Sequence, residues 1–261
     1  MKNEYIIDFI ECIKSWPSWY YYGLQDIKNK YTRSVFGPFW ISISIAVTIF
    51  AMGPLYSMLF RVSNNNNNIY YIHLSSGLIF WYFISGTISD SCTAFISNES
   101  FIKQTKLPLF VYIARLIIRN QFILIHNLFI LALIIFFQSN ITFRLLLLIP
   151  NLLIVTAILF LLSYILAVIC TRFRDLVPLI GSLLQLSMFL TPIFWIANES
   201  IEKSHYLYLN PFNYIMQLLR NPIENKIDFS LYILGFEFFI VLFIISFIIH
   251  HYYNKKISYW L

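Results

Sequence analysis

The stretch LLLLIPNLLIVTAILFLLSYILAVIC, residues 145–170, contains no charged side chain. A helix of about 20 apolar residues crosses the hydrocarbon core of a bilayer, so this stretch predicts a transmembrane helix. Five other apolar runs have a similar length. The six predicted spans are residues 38–60, 72–96, 109–137, 145–170, 177–196 and 230–250. We therefore predict an all-α integral membrane protein with six transmembrane helices in a single domain, residues 1–261.

The composition also favours an integral membrane protein. Of the 261 residues, 59% are hydrophobic and only 11% are charged, and the mean hydropathy is +0.71. An ordinary soluble domain is roughly 45–50% apolar and about 25% charged. A soluble enzyme, a disordered chain and a secreted disulfide scaffold are therefore excluded. Cys12, Cys92 and Cys170 fit no disulfide or metal-binding spacing, and we expect them to be small packing residues.

The distribution of Lys and Arg predicts the orientation of the chain. Most of these residues flank the spans on one side, in residues 1–37, 97–108, 171–176 and 251–261. Cytoplasmic loops of membrane proteins carry an excess of Lys and Arg, so both termini should be cytoplasmic. The tract from Asn64 to Asn68 then falls in an outer loop, where it has no packing role.

Three segments outside the spans have patterns of their own. Residues 16–31 place aromatic and apolar side chains at steps of three or four, which predicts an amphipathic interface helix, either an anchor or a lever. In residues 97–108, Phe101 and Ile102 form an apolar edge suited to docking on another protein, although a plain surface turn is the alternative. Residues 197–229 predict outer helices that re-enter the membrane or lie at its interface.

Charged residues inside the predicted spans are costly and point to function. Arg115 and Arg119 are four residues apart and share one face of span three, and a short loop brings Asp90 of span two beside it. We expect one ion pair between Asp90 and an arginine. The other arginine would reach the headgroups or, because guanidinium suits phosphate, an anionic lipid-linked group. His126 and Asn127 are expected to form hydrogen bonds between helices.

The sequence contains no recognisable catalytic constellation. It has no GxSxG, HExxH or GxxxxGK[ST] motif and no metal-ligand cluster. We expect a transport subunit rather than an enzyme, with no metal or cofactor bound by this chain. If transport is driven by ATP, the ATPase must be a separate subunit that binds the ATP and Mg²⁺.

Five stretches, taken in order, resemble a known family. They are DIKNKYTRSVFGPFW at residues 26–40, ESFIKQTKLPL at 99–109, RFRDL at 172–176, TPIFW at 191–195 and NPF at 210–212. Together they resemble the permeases of ABC-2 type polysaccharide exporters. The resemblance is closest to the permeases that export the O-antigen of lipopolysaccharide, with capsule and teichoic acid permeases as near relatives.

The resemblance implies an ABC-2 type transmembrane domain that works in the bacterial inner membrane. The domain would form a homodimer with two copies of a separate nucleotide-binding ATPase subunit. The residues implied in docking on that ATPase are Glu99, Phe101, Ile102, Lys103 and Gln104. The residues implied at a lateral entrance for undecaprenyl-diphosphate-linked polysaccharide are Trp19, Tyr20, Lys30, Tyr31 and Arg33.

The many aromatic residues have a use in such a transporter. They make up 19% of the chain, and Tyr and Trp rings offer a sugar polymer flat stacking faces with a polar tip. The candidates for lining a channel between two copies are Trp40, Tyr56, Trp81, Tyr82, Phe194 and Trp195. Each of them has an alternative role in core packing or in contact with lipid.

The function that the sequence predicts is that of the permease subunit of an ATP-driven exporter. It would move lipid-linked O-antigen polysaccharide from the cytoplasm to the periplasm. The nearest alternatives are a capsular polysaccharide or teichoic acid permease and a small-molecule ABC-2 permease. Alternatives of other classes are an ion-coupled transporter and a membrane-embedded enzyme that modifies glycolipids.

Overall fold

The computed structural model describes residues 4–30, 32, 34, 37, 39–59, 67–137, 142–197, 207 and 210–261. Across these residues the regular structure is helical, with no strand. The helices are α1 (Glu4–Lys14), α2 (Trp16–Lys30), α3 (Phe39–Leu59), α4 (Asn67–Cys92), α5 (Glu99–Gln104), α6 (Leu109–Phe137), α7 (Leu148–Arg172), α8 (Leu176–Leu190), α9 (Pro211–Arg220), α10 (Phe229–Tyr253) and α11 (Ile257–Trp260). Short 3₁₀ turns at Ile96–Asn98, Phe143–Leu147 and Asn254–Lys256 precede α5, α7 and α11.

Four helical stretches are long and apolar enough to cross a membrane. They are Phe39–Leu59, Leu109–Phe137, Phe143–Arg172 and Phe229–Trp260, and they correspond to predicted spans one, three, four and six. Predicted span two differs from the expectation in its position and polarity, and predicted span five differs in its length.

Predicted span two corresponds to α4, which begins and ends earlier than expected. The helix covers Asn67–Cys92 rather than residues 72–96, and its 26 residues extend over about 39 Å. Asn67 and Asn68, the last two residues of the Asn tract, begin this helix, so the tract is not wholly a loop. Asn64 to Asn66 lie outside the described residues.

Helix α4 is less hydrophobic than the four candidate spans, and it lies inside the protein. It packs against α3, α6, α7, α8 and α9. Its buried hydroxyl groups bond within the helix: Ser75 Oγ donates to the Ile72 carbonyl at 3.2 Å and Thr87 Oγ1 to the Phe83 carbonyl at 2.7 Å. A buried hydroxyl that keeps a hydrogen bond avoids most of its desolvation cost. The low hydropathy of α4 is therefore compatible with its central position.

Predicted span five, residues 177–196, is helical only as far as Leu190. Helix α8 has 15 residues and extends over about 22 Å, which is less than the hydrocarbon core of about 30 Å. Thr191 is extended, with φ −89° and ψ 138°, because a residue before proline is disfavoured in helical geometry. Residues 191–195 then form bends instead of the last helical turns.

The predicted interface helix is present as α2, with α1 before it. Helix α2 packs along α6, and Gly23 permits the close approach: a Cβ at this position would lie 3.0 Å from the Arg115 carbonyl oxygen. Between α2 and α3, Gly37 has a φ of +54°. Glycine adopts this left-handed conformation without steric cost, so the residue suits the break between the two helices.

Candidate functional site

Four charged side chains meet where α2, α4 and α6 come together. We call them the inner charge cluster: Asp26, Asp90, Arg115 and Arg119. Arg115 Nη2 and Nε donate to the two carboxylate oxygens of Asp26 at 2.5 and 2.8 Å, the bidentate geometry in which arginine binds carboxylates most strongly. Arg119 Nη2 donates to Asp90 Oδ2 at 2.7 Å. The predicted pair between Asp90 and an arginine is confirmed.

The expectation that the second arginine lacks a protein partner is wrong. Asp26 forms an ion pair with Arg115. The two carboxylates of the cluster balance its two guanidinium groups, so the cluster offers no surplus positive charge to a phosphate. Sequence reasoning missed Asp26 because it belongs to a different element, 89 residues from Arg115. A local signal was present: Gly23 and Ile27 are both buried and one turn apart, which puts Asp26 at the edge of the packed face of α2.

The polar residues near the middle of α6 behave differently from each other. Asn127 Oδ1 accepts a hydrogen bond from Ser42 Oγ of α3 at 3.5 Å, as expected for a contact between helices. His126 Nδ1 instead lies 2.7 Å from the Phe122 carbonyl of its own helix. The predicted interhelical hydrogen bond is therefore present for Asn127, whereas the hydrogen-bond contact of His126 is local and its ring packs edge-on against Phe39 of α3 with the centroids 6.0 Å apart.

Arg115 also connects the inner charge cluster to α5. Its Nη1 donates to Asn98 Oδ1 at 3.1 Å, and Asn98 directly precedes α5. Asn98 Nδ2 donates in turn to the Ala94 carbonyl at 2.7 Å. One guanidinium group thus bonds to helix α2 and to the residue from which α5 starts.

Helix α5 turns part of its predicted docking edge outward. Phe101 is 54% exposed, whereas Ile102 is 9% exposed and packs inside the protein. Phe101 therefore faces outward and Ile102 inward, because successive residues of a helix point in different directions, and the docking role of both stays a prediction. Lys103 Nζ donates to Glu99 Oε1 at 2.6 Å on the same exposed surface, and this bond lowers the pKa of the Glu99 carboxyl. Gln104 is also exposed.

The bent segment after α8 receives its hydrogen bonds from side chains of other elements. Arg220 Nη1 donates to the Pro192 carbonyl at 2.6 Å, and Tyr70 Oη donates to the Phe194 carbonyl at 2.8 Å. Non-helical backbone inside a membrane protein must be covered in this way or line a watery cavity. These bonds hold residues 191–195 against α4 and α9.

A second group of charges, which the sequence reasoning did not find, lies beside that segment. We call it the outer charge cluster: His73, Arg220, Glu224 and Lys226. Glu224 Oε1 lies 2.7 Å from His73 Nδ1, and Glu224 Oε2 lies 3.1 Å from Lys226 Nζ. Burial alone would raise the pKa of the Glu224 carboxyl, but the His73 hydrogen bond and the Arg220 charge lower it to about 2. The sequence signal available was the i,i+4 spacing of Arg220 and Glu224.

Two of the quoted motifs meet at the start of α9. Asn210 caps the helix by accepting a hydrogen bond from the Phe212 backbone N–H at 3.0 Å, and Pro211 occupies the first turn, where its missing N–H costs nothing. Asn210 Nδ2 donates to Thr191 Oγ1 at 2.9 Å. The NPF and TPIFW stretches are therefore in contact.

The sequence profile of the family described as ABC-2 type transporter matches residues 19–223. The chain belongs to the ABC-2 type transporter family. It is thus the multi-pass transmembrane component of an ABC transporter, a component that works with a separate ATP-binding subunit. No curated protein matches the chain.

The permease's predicted entrance residues have different surroundings. Trp19 Nε1 donates to the Cys12 carbonyl at 2.9 Å, which ties α2 to α1, and the half-buried Trp19 lines an apolar cavity of about 490 Å³. Tyr20 is 40% exposed, and Lys30 is exposed at the end of α2. Tyr31 and Arg33 lie outside the described residues.

The six aromatic candidates divide by their exposure in this permease. Trp81 and Phe194 are 2% and 4% exposed, and Trp81 packs edge-on against Phe212 with the centroids 5.6 Å apart. Both are core residues of the single chain, and their place in a channel between two chains stays a prediction. Trp40 and Tyr82 are exposed. Tyr56 and Trp195 are half-buried. The Tyr56 ring stacks on Phe194 with the centroids 5.2 Å apart, and Trp195 donates a hydrogen bond to the Phe189 carbonyl at 3.2 Å.

Proposed function

We propose that this ABC-2 permease exports lipid-linked O-antigen polysaccharide from the cytoplasm to the periplasm, as a homodimer with two ATPase subunits in the bacterial inner membrane. The observation that carries the proposal is the set of Arg115 bonds, which connect the proposed docking helix to the proposed entrance helix. The quoted sequence stretches favour a polysaccharide as cargo. Capsular polysaccharide and teichoic acid are the alternative cargoes.

Six membrane crossings fit this proposal. Helix α4 has the length of a span and a protein-covered position, and α8 is extended by the bent residues 191–195, whose carbonyls are bonded by Arg220 and Tyr70. Helix α9, with the loop that follows it, would be the outer re-entrant element. An even number of crossings returns the chain to the side on which it started.

Contacts between the two ends of the chain support the same conclusion. Tyr5 Oη and Ser246 Oγ lie 2.7 Å apart, and Lys255 Nζ donates to Glu4 Oε1 at 2.7 Å. Helix α11 also packs against α5. The N-terminal helix, the C-terminal helix and the proposed docking helix therefore share one end of the molecule, which we take to be cytoplasmic.

In the proposed mechanism, movement of the ATPase acts on the exposed surface of α5. Phe101 would insert into a cleft of the ATPase, and the Glu99–Lys103 pair would hold the surface around it in one arrangement. A displacement of α5 moves Asn98, and the Arg115 bonds pass that movement to Asp26 and α2. The entrance for the lipid would open as α2 moves relative to α6.

The lipid diphosphate would be recognised by the end of α2 rather than by the inner charge cluster. Arg115 and Arg119 are already matched by Asp26 and Asp90. The last turn of α2 carries Lys28 and Lys30 on the exposed side. Exposed Trp40 and Tyr82 would then offer stacking surfaces to the following sugars.

Deletion of the gene in its native host tests the proposal. Surface polysaccharide, detected by immunoblot on intact cells, should disappear, and full-length lipid-linked polymer should accumulate inside. Complementation should need both this chain and the ATPase. Unchanged surface polymer would refute the exporter function, and a change in the mass of the glycolipid without accumulation would favour the modifying enzyme.

A further inference from the structure

A polar cavity of about 420 Å³ opens at the end of the molecule opposite α5. It lies between α9, the first turn of α10 and the bent segment after α8. We call it the outer basin. Its main polar and aromatic lining residues are Asn213, Tyr214, Gln217, Arg220, Glu224 and Lys226. The volume is within the range of about 300–1,000 Å³ that small-ligand pockets occupy.

Arg220 provides the buried donors of this basin. Its side chain is 5% exposed, and it has room because a Cβ on Gly77 would lie only 2.3 Å from Nη2. Nη1 is used by the Pro192 carbonyl. Nη2 lies against Gly77 of α4 and Nε lies 3.8 Å from Glu224 Oε1, and neither makes a hydrogen bond within the part of the chain that the structure describes. Buried donors without a hydrogen bond are unfavourable, and a ligand acceptor that reaches Nε beside Glu224 would relieve part of this.

The remaining lining groups select the class of ligand. Glu224 and Asp228 both line the basin, and Lys226 is already paired with Glu224 at 3.1 Å. The two lining cations, Arg220 and Lys226, both lie within 4 Å of Glu224, so a phosphate or carboxylate would meet each cation with a carboxylate already beside it. A sugar hydroxyl group can accept a hydrogen bond from Arg220 and donate one to the carboxylate of Glu224. The amides of Asn213 and Gln217 are equally bifunctional, and Tyr214 adds a ring face.

We infer that the outer basin is a binding subsite for a neutral saccharide unit of the exported polymer, at the point where the polymer leaves the membrane domain. This inference rests on the proposed function and deepens it, since it names a place on this chain that contacts the glycan rather than the lipid. Bound sugar would hold the polymer on the outer side between power strokes, through hydrogen bonds of its hydroxyl groups to the polar lining residues.

Photo-crosslinking in cells that make the native polymer tests the inference. We replace Gln217, which is half-buried in the basin, by p-benzoyl-phenylalanine, and Phe236, which is 63% exposed on α10, as the matched control. After irradiation, the Gln217 position should give a ladder of permease–polysaccharide adducts on immunoblots. The Phe236 position should give at least tenfold fewer adducts.

A second measurement separates sugar from anion. Purified permease–ATPase complex is titrated with oligosaccharide released from the host polymer by mild acid, and separately with pyrophosphate. The oligosaccharide should bind, Gln217→Leu should weaken it about tenfold, and pyrophosphate should leave the basin empty. Binding of pyrophosphate but not sugar, or polymer export without adducts at Gln217, overturns the saccharide subsite. Loss of polymer export as a function of this chain overturns the proposed function instead, and with it the inference.

Discussion

Replacing Asp26 by Asn leaves the Arg115 guanidinium without its carboxylate, while the shape of the side chain is kept. Both side chains are less than a quarter exposed, at 18% for Asp26 and 24% for Arg115. A hydrogen bond to a charged group contributes about 1.5–3 kcal/mol, and removing one partner of a fully buried pair costs about 3–5 kcal/mol. For this partly exposed pair we expect each single variant to lose about 2–3 kcal/mol of unfolding free energy.

A double-mutant cycle isolates the pair. Asp26→Asn, Arg115→Gln and the double variant are compared by denaturant unfolding in nanodiscs, and the coupling energy should be about 1–2 kcal/mol. The same variants are assayed with the ATPase subunit for ATP hydrolysis and polymer export. Because Arg115 joins α2 to α5, we expect assembled complexes that hydrolyse ATP but export little polymer.

Asp90→Asn is the matched control. It breaks the other pair of the cluster, between Asp90 and Arg119, and leaves the Arg115–Asn98 bond intact. It should lower stability less than Asp26→Asn, because the Asp90 side chain is 39% exposed, and it should retain export in proportion to the folded protein. Additive effects of Asp26→Asn and Arg115→Gln would refute the pair. Normal export by Asp26→Asn at normal stability would refute its coupling role.

The remaining predictions concern docking, packing and pH. Phe101→Asp should abolish co-purification with the ATPase, whereas Tyr259→Asp, at another exposed aromatic of the same end, should retain it. Gly77→Ala should cost about 1–3 kcal/mol of stability in thermal unfolding, because the added Cβ would clash with Arg220. The control is Gly181→Ala, where a Cβ meets nothing within 4 Å, and it should be neutral or slightly stabilising. The pKa of Glu224 is lowered from 4.5 to about 2. The contribution of its ionised carboxylate to the unfolding free energy is therefore complete above about pH 5 and is lost as the pH falls towards 2. The difference in midpoint between wild type and Glu224→Gln should therefore be constant from pH 7 to 5 and shrink below pH 4; a constant difference at pH 3 would contradict the lowered pKa.

Hydropathy predicted the spans whose surroundings are lipid or apolar protein. It described α4 and α8 less well because the determinants there are specific hydrogen bonds and a proline, which a hydropathy average does not contain. The hydroxyls of α4 are satisfied by its own carbonyls, which a hydropathy average does not register. The early end of α8 follows from Pro192 and from Arg220, which lies 28 residues away and bonds to its carbonyl.

The candidate sites were predictable only where partners are close in sequence. Asp90 and Arg119 lie on helices joined by a short loop, and their pair was predicted. Asp26 and Arg115 lie 89 residues apart, and His73 and Glu224 lie 151 residues apart. Amphipathic periodicity indicates which face of a helix is buried, but it does not identify the element that covers the face.

Transport by purified components is the decisive experiment for an ATP-driven exporter. The permease is reconstituted in proteoliposomes with and without its ATPase subunit, and fluorescently tagged lipid-linked polysaccharide is placed on the side that carries the ATPase. We expect ATP-dependent appearance of polymer on the opposite side only when the ATPase is present. Equal transport without the ATPase, or ATP hydrolysis by the assembled complex with no movement of polymer, would contradict it.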